Sequence, residues 1–285
     1  MKLLTITTLG ILLSINISAQ NEKNKREAWY ESQPKGMSFI GQGTYSRTVF
    51  IKNDTVIYKA SVAPFWMSNE ITNKEFRVFT IALKSKPNDS LCWINHNSYD
   101  KTQTKNNKSQ YCISYSEASN DLIDTTVFKN ENKLYKNYFN DKEFDDYPIV
   151  GVSYNGAMLF CIWKTKTEIE KLKKEGKTPY MNDYRIPLEE EWYYAASMPM
   201  LKEKTNNKNL QKINSGERSK NSLYHFSDNI SEWTSTNTDT ELNNSNVVIG
   251  GSWKDDSDFN KRFLLERNSK NNYVGFRIVR TFISK

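Results

Sequence analysis

The chain has 285 residues and a formal net charge of +7, from 40 Lys and Arg against 33 Asp and Glu. Its 7 Trp, 16 Tyr and 14 Phe supply enough apolar material for the core of one large domain or two small ones. Because the basic residues are scattered among acidic ones, the excess charge indicates a solvated surface and at most a weak preference for acidic partners or envelope surfaces. The chain has only two histidines, His96 and His225, which excludes a three-histidine iron site.

The first twenty residues have the order of a secretory signal peptide. Lys2 is the positive n-region, residues 3–17 are apolar and uncharged, and small or polar residues follow at 18–20. A membrane anchor is the alternative, but a spanning helix needs roughly 20 apolar residues. We therefore expect cleavage near residue 20 and an exported protein, periplasmic or associated with the outer membrane. Nucleic acid is not an expected partner of such a protein.

The mature chain begins with a leader at 21–35, and the domain at 36–285 opens with strands and a helix. Three stretches that combine turn residues with β-branched or aromatic residues predict strands, at 36–41, 49–59 and 63–67. Thr72 and Glu75 then match a capping box, in which each side chain binds the other residue's backbone amide. Three apolar residues at helical spacing follow, so a helix is predicted over 72–84.

Residues 85–146 are polar and weakly periodic, which predicts a loop-rich excursion rather than part of the core. Cys92 and Cys112 flank one polar segment of this excursion. They are the natural pair for a disulfide, because an exported protein matures in an oxidising compartment. The third cysteine, Cys161, lies in an apolar run and predicts a buried thiol.

A short apolar strand is predicted at 145–152, and Ser153 then caps a second helix with a charged, solvated tail at 168–177. A third helix is predicted from residue 185 to about Pro199, because Pro187 and three carboxylates suit a first helical turn. A second loop-rich excursion follows at 201–222. Beyond it, short strands and loops are predicted, at 223–234, 247–253 and 275–282. These elements predict an α+β domain with low regular secondary structure.

Five stretches, in chain order, resemble the sequence blocks of the sulfatase-modifying factor, or formylglycine-generating enzyme, superfamily. They are EITNKEF at 70–76, YPIVGVSY at 147–154 with Ala157, Cys161 and Trp163, RIPLEEEWYYAA at 185–196, DNISEWT at 228–234, and GGSW at 250–253 with GFR at 275–277. Each block alone is weakly specific, but five in order across residues 36–282 form a specific signal. The resemblance implies an irregular α+β fold with a C-type-lectin-like core.

Most of the matched residues are interpreted as architectural. Arg185 and Glu191 are expected to form a fold-stabilising charged pair rather than a catalytic dyad. The tryptophans of the blocks, Trp163, Trp192, Trp233 and Trp253, are expected in the core, where their indole N–H groups need buried acceptors. Gly250 and Gly251 indicate a close approach or a positive φ. The remaining structural or binding candidates are Arg267 and Arg277.

The resemblance also implies a chemistry for which this sequence lacks the residues. Oxidase members of the superfamily bind copper through two cysteines that follow the GGS block, and the matching positions here are Asp255 and Asn260. A carboxylate and an amide cannot replace the thiolates that soft Cu(I) requires, and no cysteine follows Cys161. We therefore assign no catalytic residue and expect no copper, no haem and no nucleotide.

Calcium is the one cofactor that the resemblance leaves open. In the superfamily, a G-N-x-x-E-W turn supplies oxygen ligands to a structural calcium ion, and Asn229 and Glu232 match those positions. Asp228 stands where the family has glycine, which adds charge to the site or distorts its turn. The alternative is an ordinary Asx turn with a capping glutamate.

Further blocks at 138–148, 160–165 and 251–264 resemble the gliding-motility lipoproteins of type IX secretion, which are non-catalytic envelope scaffolds. The chain departs from them in its short length and in lacking a lipobox cysteine. The leading hypothesis is a non-catalytic scaffold or interaction module. Its partners would be envelope or secretion-apparatus proteins, with peripheral membrane association as an option. The alternatives are a sulfatase-maturation or other enzyme of this superfamily, an enzyme that uses Asp255, Asp256, Asp258 and Arg267, and a lectin-like module for glycans or peptides.

Overall fold

The structure is a computed structural model, and it describes residues 31–51, 54–94, 110–131, 133–202, 208–237, 244–255 and 258–283. The predicted signal peptide and the first ten residues of the leader lie outside these ranges. None of the helices in the described part of the chain is long and apolar enough to cross a bilayer.

The described ranges contain four α-helices and fourteen short strands. The helices are α1 (Asn73–Ser85), α2 (Tyr115–Ala118), α3 (Tyr154–Lys174) and α4 (Glu189–Ala196). The strands are β1 (Met37–Ile40), β2 (Gly43–Ile51), β3 (Asp54–Val62), β4 (Phe65–Glu70), β5 (Ser90–Ile94), β6 (Gln110–Ser114), β7 (Tyr184–Arg185), β8 (Met200–Lys202), β9 (Arg218–Ser219), β10 (Ser231–Asn237), β11 (Ser245–Ile249), β12 (Arg262–Glu266), β13 (Val274–Gly275) and β14 (Arg277–Thr281).

Two four-stranded sheets organise the fold. The first has the order β1-β4-β14-β7 and the second the order β12-β11-β10-β13, and the only parallel pair among their described strands is β10–β13. Three further antiparallel pairs, β2–β3, β5–β6 and β8–β9, lie outside these sheets. Helices and mostly antiparallel strands thus occupy separate segments, and the predicted α+β class is confirmed.

Helix α1 begins where the capping box predicted it. The Thr72 hydroxyl accepts a hydrogen bond from the Glu75 amide at 3.1 Å, and the Glu75 carboxylate accepts one from the Thr72 amide at 3.0 Å. Phe76, Phe79 and Leu83 are fully buried, so the predicted apolar face is the face that packs on the core.

Helix α3 follows the prediction, whereas α4 differs from it at its start. Ser153 caps α3 through the Gly156 amide at 3.1 Å, and α3 ends at Lys174, within the predicted charged tail. Helix α4 begins at Glu189 instead of residue 185, because the chain is still extended at Leu188. Arg185 belongs to β7, which the helical interpretation of this block missed.

Two strand predictions were wrong. Residues 49–59 include the end of β2 and most of β3, which pair with each other, so the predicted single strand is two strands. Residues 145–152 form no strand, since Pro148 and Val152 make only isolated bridges, to Thr72 and Ile123.

The segment 85–146 is rich in turns, but it also contributes to the core. Phe128, Tyr135, Tyr138 and Phe144 are buried against one another and against Val150 and Ile230. Short 3₁₀ turns at Lys133–Tyr135 and Lys142–Phe144 set their spacing. The sequence pattern missed this cluster because such turns have neither the period of an α-helix nor that of a strand.

Helix α4 lies between the two sheets, where it positions the candidate site. Its Trp192 is fully buried among side chains of both sheets, including Phe65, Val279, Val247 and Ile249. The first turn of α4 therefore lies close to β2 and to the segment between β11 and β12.

Candidate functional site

The segment between β11 and β12 carries both positions that match copper-binding cysteines, and it borders two clefts. Asn260 lines a cleft of about 630 Å³, and Asp255 lines a second one of about 430 Å³. Arg262 lines both. We call the first the Arg47 cleft; its principal lining residues are Tyr45, Arg47, Tyr193, Phe259, Asn260 and Arg262.

The carboxylate of Asp255 is held by its neighbours. It accepts a hydrogen bond from the Ser252 hydroxyl at 2.5 Å and pairs with the Lys261 ammonium group. Partial burial acts to raise the pKa of Asp255, but the hydrogen bonds from Lys261 and Ser252 lower it below its ordinary value. An ionised carboxylate with these partners does not suit a general acid at neutral pH.

The Arg47 cleft is built around one buried carboxylate that two arginines share. Glu189, in the first turn of α4, accepts hydrogen bonds from Arg262 Nε at 2.8 Å and Nη2 at 3.2 Å. Arg47, in β2, pairs with the same carboxylate although it lies 142 residues away in the sequence. The hydrogen bonds of Glu189 raise the pKa of Arg262 above its ordinary value. The first turn of α4 positions Glu189, and the Glu189 carboxylate links β2, through Arg47, to β12, through Arg262.

Aromatic rings complete this cleft. The Arg47 guanidinium lies 4.3 Å from the centre of the Tyr193 ring and 5.5 Å from that of Tyr58. Tyr45 stacks on Tyr193 with ring centres 6.4 Å apart. Desolvation raises the pKa of Tyr193 to about 12, so its hydroxyl stays neutral. No short sequence motif joins these residues, so none of them was predicted to belong to a site.

Glu232 and Asn229 do not fit a calcium ion as the structure places them. The Glu232 carboxylate accepts hydrogen bonds from Arg277 Nε at 2.6 Å and Nη2 at 2.7 Å, and from the Trp192 indole at 2.7 Å. The Asn229 side-chain oxygen accepts one from the Gln211 amide at 2.9 Å. All these groups are buried, so protein donors occupy the oxygens that the resemblance assigned to calcium. The described residues contain no cluster of three or more acidic, His or Cys side chains that could hold a metal.

A second buried polar group lies beside this pair. His225 Nδ1 is 2.8 Å from an Asp228 carboxylate oxygen, and Nε2 is 3.1 Å from the Lys212 carbonyl. Both ring nitrogens face oxygen atoms, a geometry that suits the imidazolium form, in which both nitrogens donate. Burial acts to lower the pKa of His225, but the charge of Glu70 and the Asp228 hydrogen bond outweigh it and raise this pKa. Asp228 thus binds His225, which gives the residue at the family's glycine position a role in the fold.

Glu70 completes the buried network. Its Oε1 accepts a hydrogen bond from the Asn229 side chain at 2.8 Å. Desolvation raises the pKa of Glu70 to about 8, against the opposing charges of His225 and Arg277. In the sequence, the residues of this network belong to two of the matched blocks, EITNKEF with Glu70 and DNISEWT with Asp228 and Asn229, but nothing there indicates that the two blocks meet.

Arg185 and Glu191 form the charged pair that the sequence predicted. Two hydrogen bonds of 2.7 and 2.6 Å join the guanidinium to the carboxylate, which also accepts one from the Leu188 amide at 2.9 Å. The pair therefore fixes the start of α4.

Two of the four tryptophans predicted in the core are fully buried. Trp192 and Trp233 have no exposed surface, whereas Trp163 and Trp253 are half-buried. Trp233 donates its indole hydrogen to the Val152 carbonyl at 3.0 Å, and Trp253 donates to the Asn272 carbonyl at 3.0 Å. The indole hydrogens of the buried Trp233 and the half-buried Trp253 thus both bind backbone carbonyl groups.

The glycine pair permits a close approach of two backbone segments. Gly250 has a φ of +86°, and a Cβ atom on Gly251 would lie 2.1 Å from the Ser227 carbonyl oxygen. No other residue fits at position 251 without movement of the backbone.

The proposed acid/base set is not brought together. Arg267 donates to the Asn246 side chain at 2.7 Å and lies over the Tyr154 ring, and neither partner lines the cleft of Asp255. Asp258 accepts from the Asn260 amide at 2.8 Å, and Asp256 lies outside the described residues. These contacts favour structural hydrogen bonding by Asp258 and Arg267 over a shared role in acid/base catalysis.

The three cysteines lie as the sequence predicted. Cys92 and Cys112 face each other across β5–β6 and form a disulfide. Cys161 is a free thiol in the core, and desolvation raises its pKa to about 12. The free thiol is therefore un-ionised and is shielded from solvent.

A family model and two solved structures are similar to this chain. The family model described as "Sulfatase-modifying factor enzyme 1-like domain" matches residues 22–205 and 198–282. The crystal structure of CarF is similar with a TM-score of 0.52 and 15% identity, covering 87% of this chain and 98% of CarF. PvdO from Pseudomonas aeruginosa is similar with a TM-score of 0.53 and 14% identity, covering 88% and 97%. At these identities the likeness shows a shared fold alone. No curated protein matches the chain.

Proposed function

The chain belongs to the sulfatase-modifying factor enzyme 1-like family, and from this premise we propose that it is a non-catalytic binding protein of the cell envelope. One observation carries the proposal. At the two positions where the family's oxidases have copper-binding cysteines, this chain has Asp255 and Asn260. The Asp255 carboxylate is bound by Ser252 and Lys261.

The residues present do not fit copper. Cu(I) prefers thiolate and thioether ligands, and the side chains at positions 255 and 260 offer a carboxylate and an amide. Cys161 cannot substitute for them, because it is a buried, un-ionised thiol of the core. Cys92 and Cys112 are consumed in the disulfide. The fold is kept while the ligands for the oxidation are missing, which favours a binding role.

The envelope setting and the scaffold role come from the sequence. The first twenty residues have the order of a signal peptide, and the Cys92–Cys112 disulfide suits an oxidising compartment. The blocks at 138–148, 160–165 and 251–264 resemble gliding-motility lipoproteins. We take the protein to be a periplasmic or outer-membrane-associated interaction module of type IX secretion, with secretion-apparatus proteins as partners.

Crosslinking in intact cells tests the scaffold role. The full-length chain, tagged at its C-terminus and expressed from its own locus, is crosslinked and purified from envelope fractions. We expect secretion components in the purified complex, and a loss of secreted proteins in a deletion strain. Normal secretion by the deletion strain, together with a complex free of secretion components, would contradict the scaffold role.

A copper assay separates this role from oxidase activity. The mature protein is titrated with Cu(I) against a competing chelator and incubated with a cysteine-containing peptide. We expect neither Cu(I) binding nor oxidation of the peptide. The double variant Asp255→Cys, Asn260→Cys is the control, because it supplies two thiols at the matched positions and should bind Cu(I). Copper-dependent oxidation of the peptide by the wild type would overturn the non-catalytic interpretation.

A further inference from the structure

We propose that the Arg47 cleft binds a ligand that carries a carboxylate group next to an aromatic ring. This proposal names a ligand for the proposed binding function. It rests on that function, because it requires the cleft beside Asn260 to serve binding rather than oxidation.

Unpartnered donors in the wall of the cleft are the first observation. Tyr45 is only 7% exposed, and its hydroxyl is buried without a hydrogen-bond partner in the described part of the chain. The Nε of Arg47 is also buried without one. Native proteins retain few such groups, because each loses its hydration without a replacement. Two of them in one cleft indicate a missing acceptor.

Both donors belong to side chains on the same face of β2. Tyr45 and Arg47 are two residues apart on β2, so their side chains project from the same face of the strand. Both pack on Tyr193, Tyr45 by ring stacking and Arg47 by its guanidinium. Both donors therefore belong to residues of one wall of the cleft, which β2 forms together with Tyr193.

The charged groups of the cleft favour a carboxylate as that acceptor. Arg47 and Arg262 already bind the Glu189 carboxylate, and two guanidinium groups can hold a second carboxylate with charge-assisted hydrogen bonds. Glu190, the neighbouring acid, accepts a hydrogen bond from the Tyr58 hydroxyl at 2.7 Å. In the described part of the chain, no hydrogen bond joins its carboxylate to the Tyr45 hydroxyl or to Arg47 Nε.

The walls of the cleft supply the aromatic part of the recognition. Phe259 is 41% exposed although it is large and apolar, and it lies in the same cleft as Tyr193 and Tyr45. A planar ring beside the bound carboxylate would cover Phe259 and stack on a tyrosine. The cleft volume of about 630 Å³ is ample for such a group.

The test uses N-acetyl-L-phenylalanine as the carboxylate probe and N-acetyl-L-phenylalaninamide as its neutral counterpart. Binding to the mature protein is followed by saturation-transfer NMR and by the ligand-induced shift in melting temperature. We expect saturable binding of the carboxylate, roughly tenfold tighter than that of the amide, because a hydrogen bond to a charged group is stronger than one to a neutral group.

Two substitutions assign the binding to the cleft. Tyr45→Phe removes only the unpartnered hydroxyl, and Arg47→Lys keeps a charge for Glu189 but removes Nε. Each should weaken the probe roughly tenfold, and Tyr45→Phe should leave the ligand-free melting temperature unchanged or higher. Arg77→Lys is the matched control. Arg77 also pairs with one carboxylate, Asp145, and lies over an aromatic ring, Phe139, but does not line this cleft.

Equal binding of the amide would overturn the carboxylate assignment. Undiminished binding by both Tyr45→Phe and Arg47→Lys, or no saturable binding at all, would overturn the site and leave water as the partner of the two donors. Either result could occur while the crosslinked secretion components are still recovered. Failure of the cleft is therefore distinguishable from failure of the scaffold role.

Discussion

At the scale of single residues, Arg277 and Glu232 are the most constrained charges in the described chain. Both side chains are fully buried, and two hydrogen bonds of 2.6 and 2.7 Å join them. The Trp192 indole and the Tyr224 carbonyl satisfy further hydrogen-bonding groups of the pair. A buried pair with complete hydrogen bonding is tolerated, but either member alone is an uncompensated charge.

Removing one member of this pair should therefore be costly. We expect Glu232→Gln to lower the free energy of unfolding by about 3–5 kcal/mol, because it strands the Arg277 guanidinium in the core. Urea unfolding followed by tryptophan fluorescence measures the change. Glu175→Gln is the control, since the Glu175–Lys177 pair is exposed, and it should change nothing measurable. A cost for Glu232→Gln as small as that of the control would show that water reaches Arg277.

Glu70 and His225 predict a pH dependence of stability. The pKa of Glu70 is raised from its ordinary value of 4.5 to about 8 by desolvation, and that of His225 is also raised. The folded protein therefore binds more protons than the unfolded chain between these values. Stability present at low pH should be lost as the pH rises from about 4.5 to about 8.

The variant Glu70→Gln removes the contribution of Glu70, and with it the charge that raises the pKa of His225. Gln keeps the oxygen that accepts from Asn229 and replaces an oxygen that has no partner in the described chain. We expect a smaller decrease of the unfolding free energy across this pH range, and a higher melting temperature than the wild type at pH 8 and above. A wild-type stability that rises through the same range would contradict the raised pKa of Glu70.

At the scale of elements, the β5–β6 pair depends on a crosslink. Cys92 and Cys112 are direct cross-strand partners, and Trp93 stacks on Tyr111 at the next position of the ladder. Leu91 is the fully buried residue of this pair and connects it to the main core. An isolated two-stranded pair is only marginally stable, so the disulfide is expected to stabilise the β5–β6 pair.

Loss of the disulfide should weaken the whole domain, because Leu91 couples the pair to the core. We expect Cys92→Ala with Cys112→Ala to lower the free energy of unfolding by about 2–4 kcal/mol, measured by urea unfolding. Thiol titration gives the control: the native wild type should show no reactive thiol, and the unfolded wild type one, Cys161. An unchanged unfolding free energy in the double variant would mean that the pair is held by packing alone.

At the scale of the whole molecule, the buried polar network joins the two sheets. Arg277 belongs to β14 of the first sheet and Glu232 to β10 of the second, so their ion pair crosses the interface. Glu70, at the end of β4, adds a second connection through Asn229. A structural cation would perform the same task by bridging carboxylates, and here a guanidinium performs it.

The melting temperature should consequently be independent of calcium. We expect the same transition in excess calcium and in excess chelator, because Arg277 and Trp192 already occupy the oxygens of Glu232. Differential scanning calorimetry of the mature protein measures this, with a known calcium-stabilised protein as the positive control. A calcium-dependent rise of several degrees would restore the calcium hypothesis for Asn229 and Glu232.

The sequence by itself determined the features that depend on neighbours along the chain. The capping residues Thr72 and Ser153 fixed two helix starts, because a cap needs only its own first turn. The five ordered blocks gave the family, and the identities of residues 255 and 260 gave the missing copper ligands. The RIPLEEEWYYAA block, interpreted through the family resemblance, gave the Arg185–Glu191 pair.

Only the tertiary structure decided which distant side chains meet. Glu189 binds Arg262, which is 73 residues away, and Arg47, which is 142 residues away. Glu232 binds the Arg277 guanidinium, although its motif alone also suits a metal ion. No periodicity encodes such pairs, because they depend on how α4, β2 and the two sheets pack. The physical reason is that a buried carboxylate must find a positive partner, and the fold determines which one lies within reach.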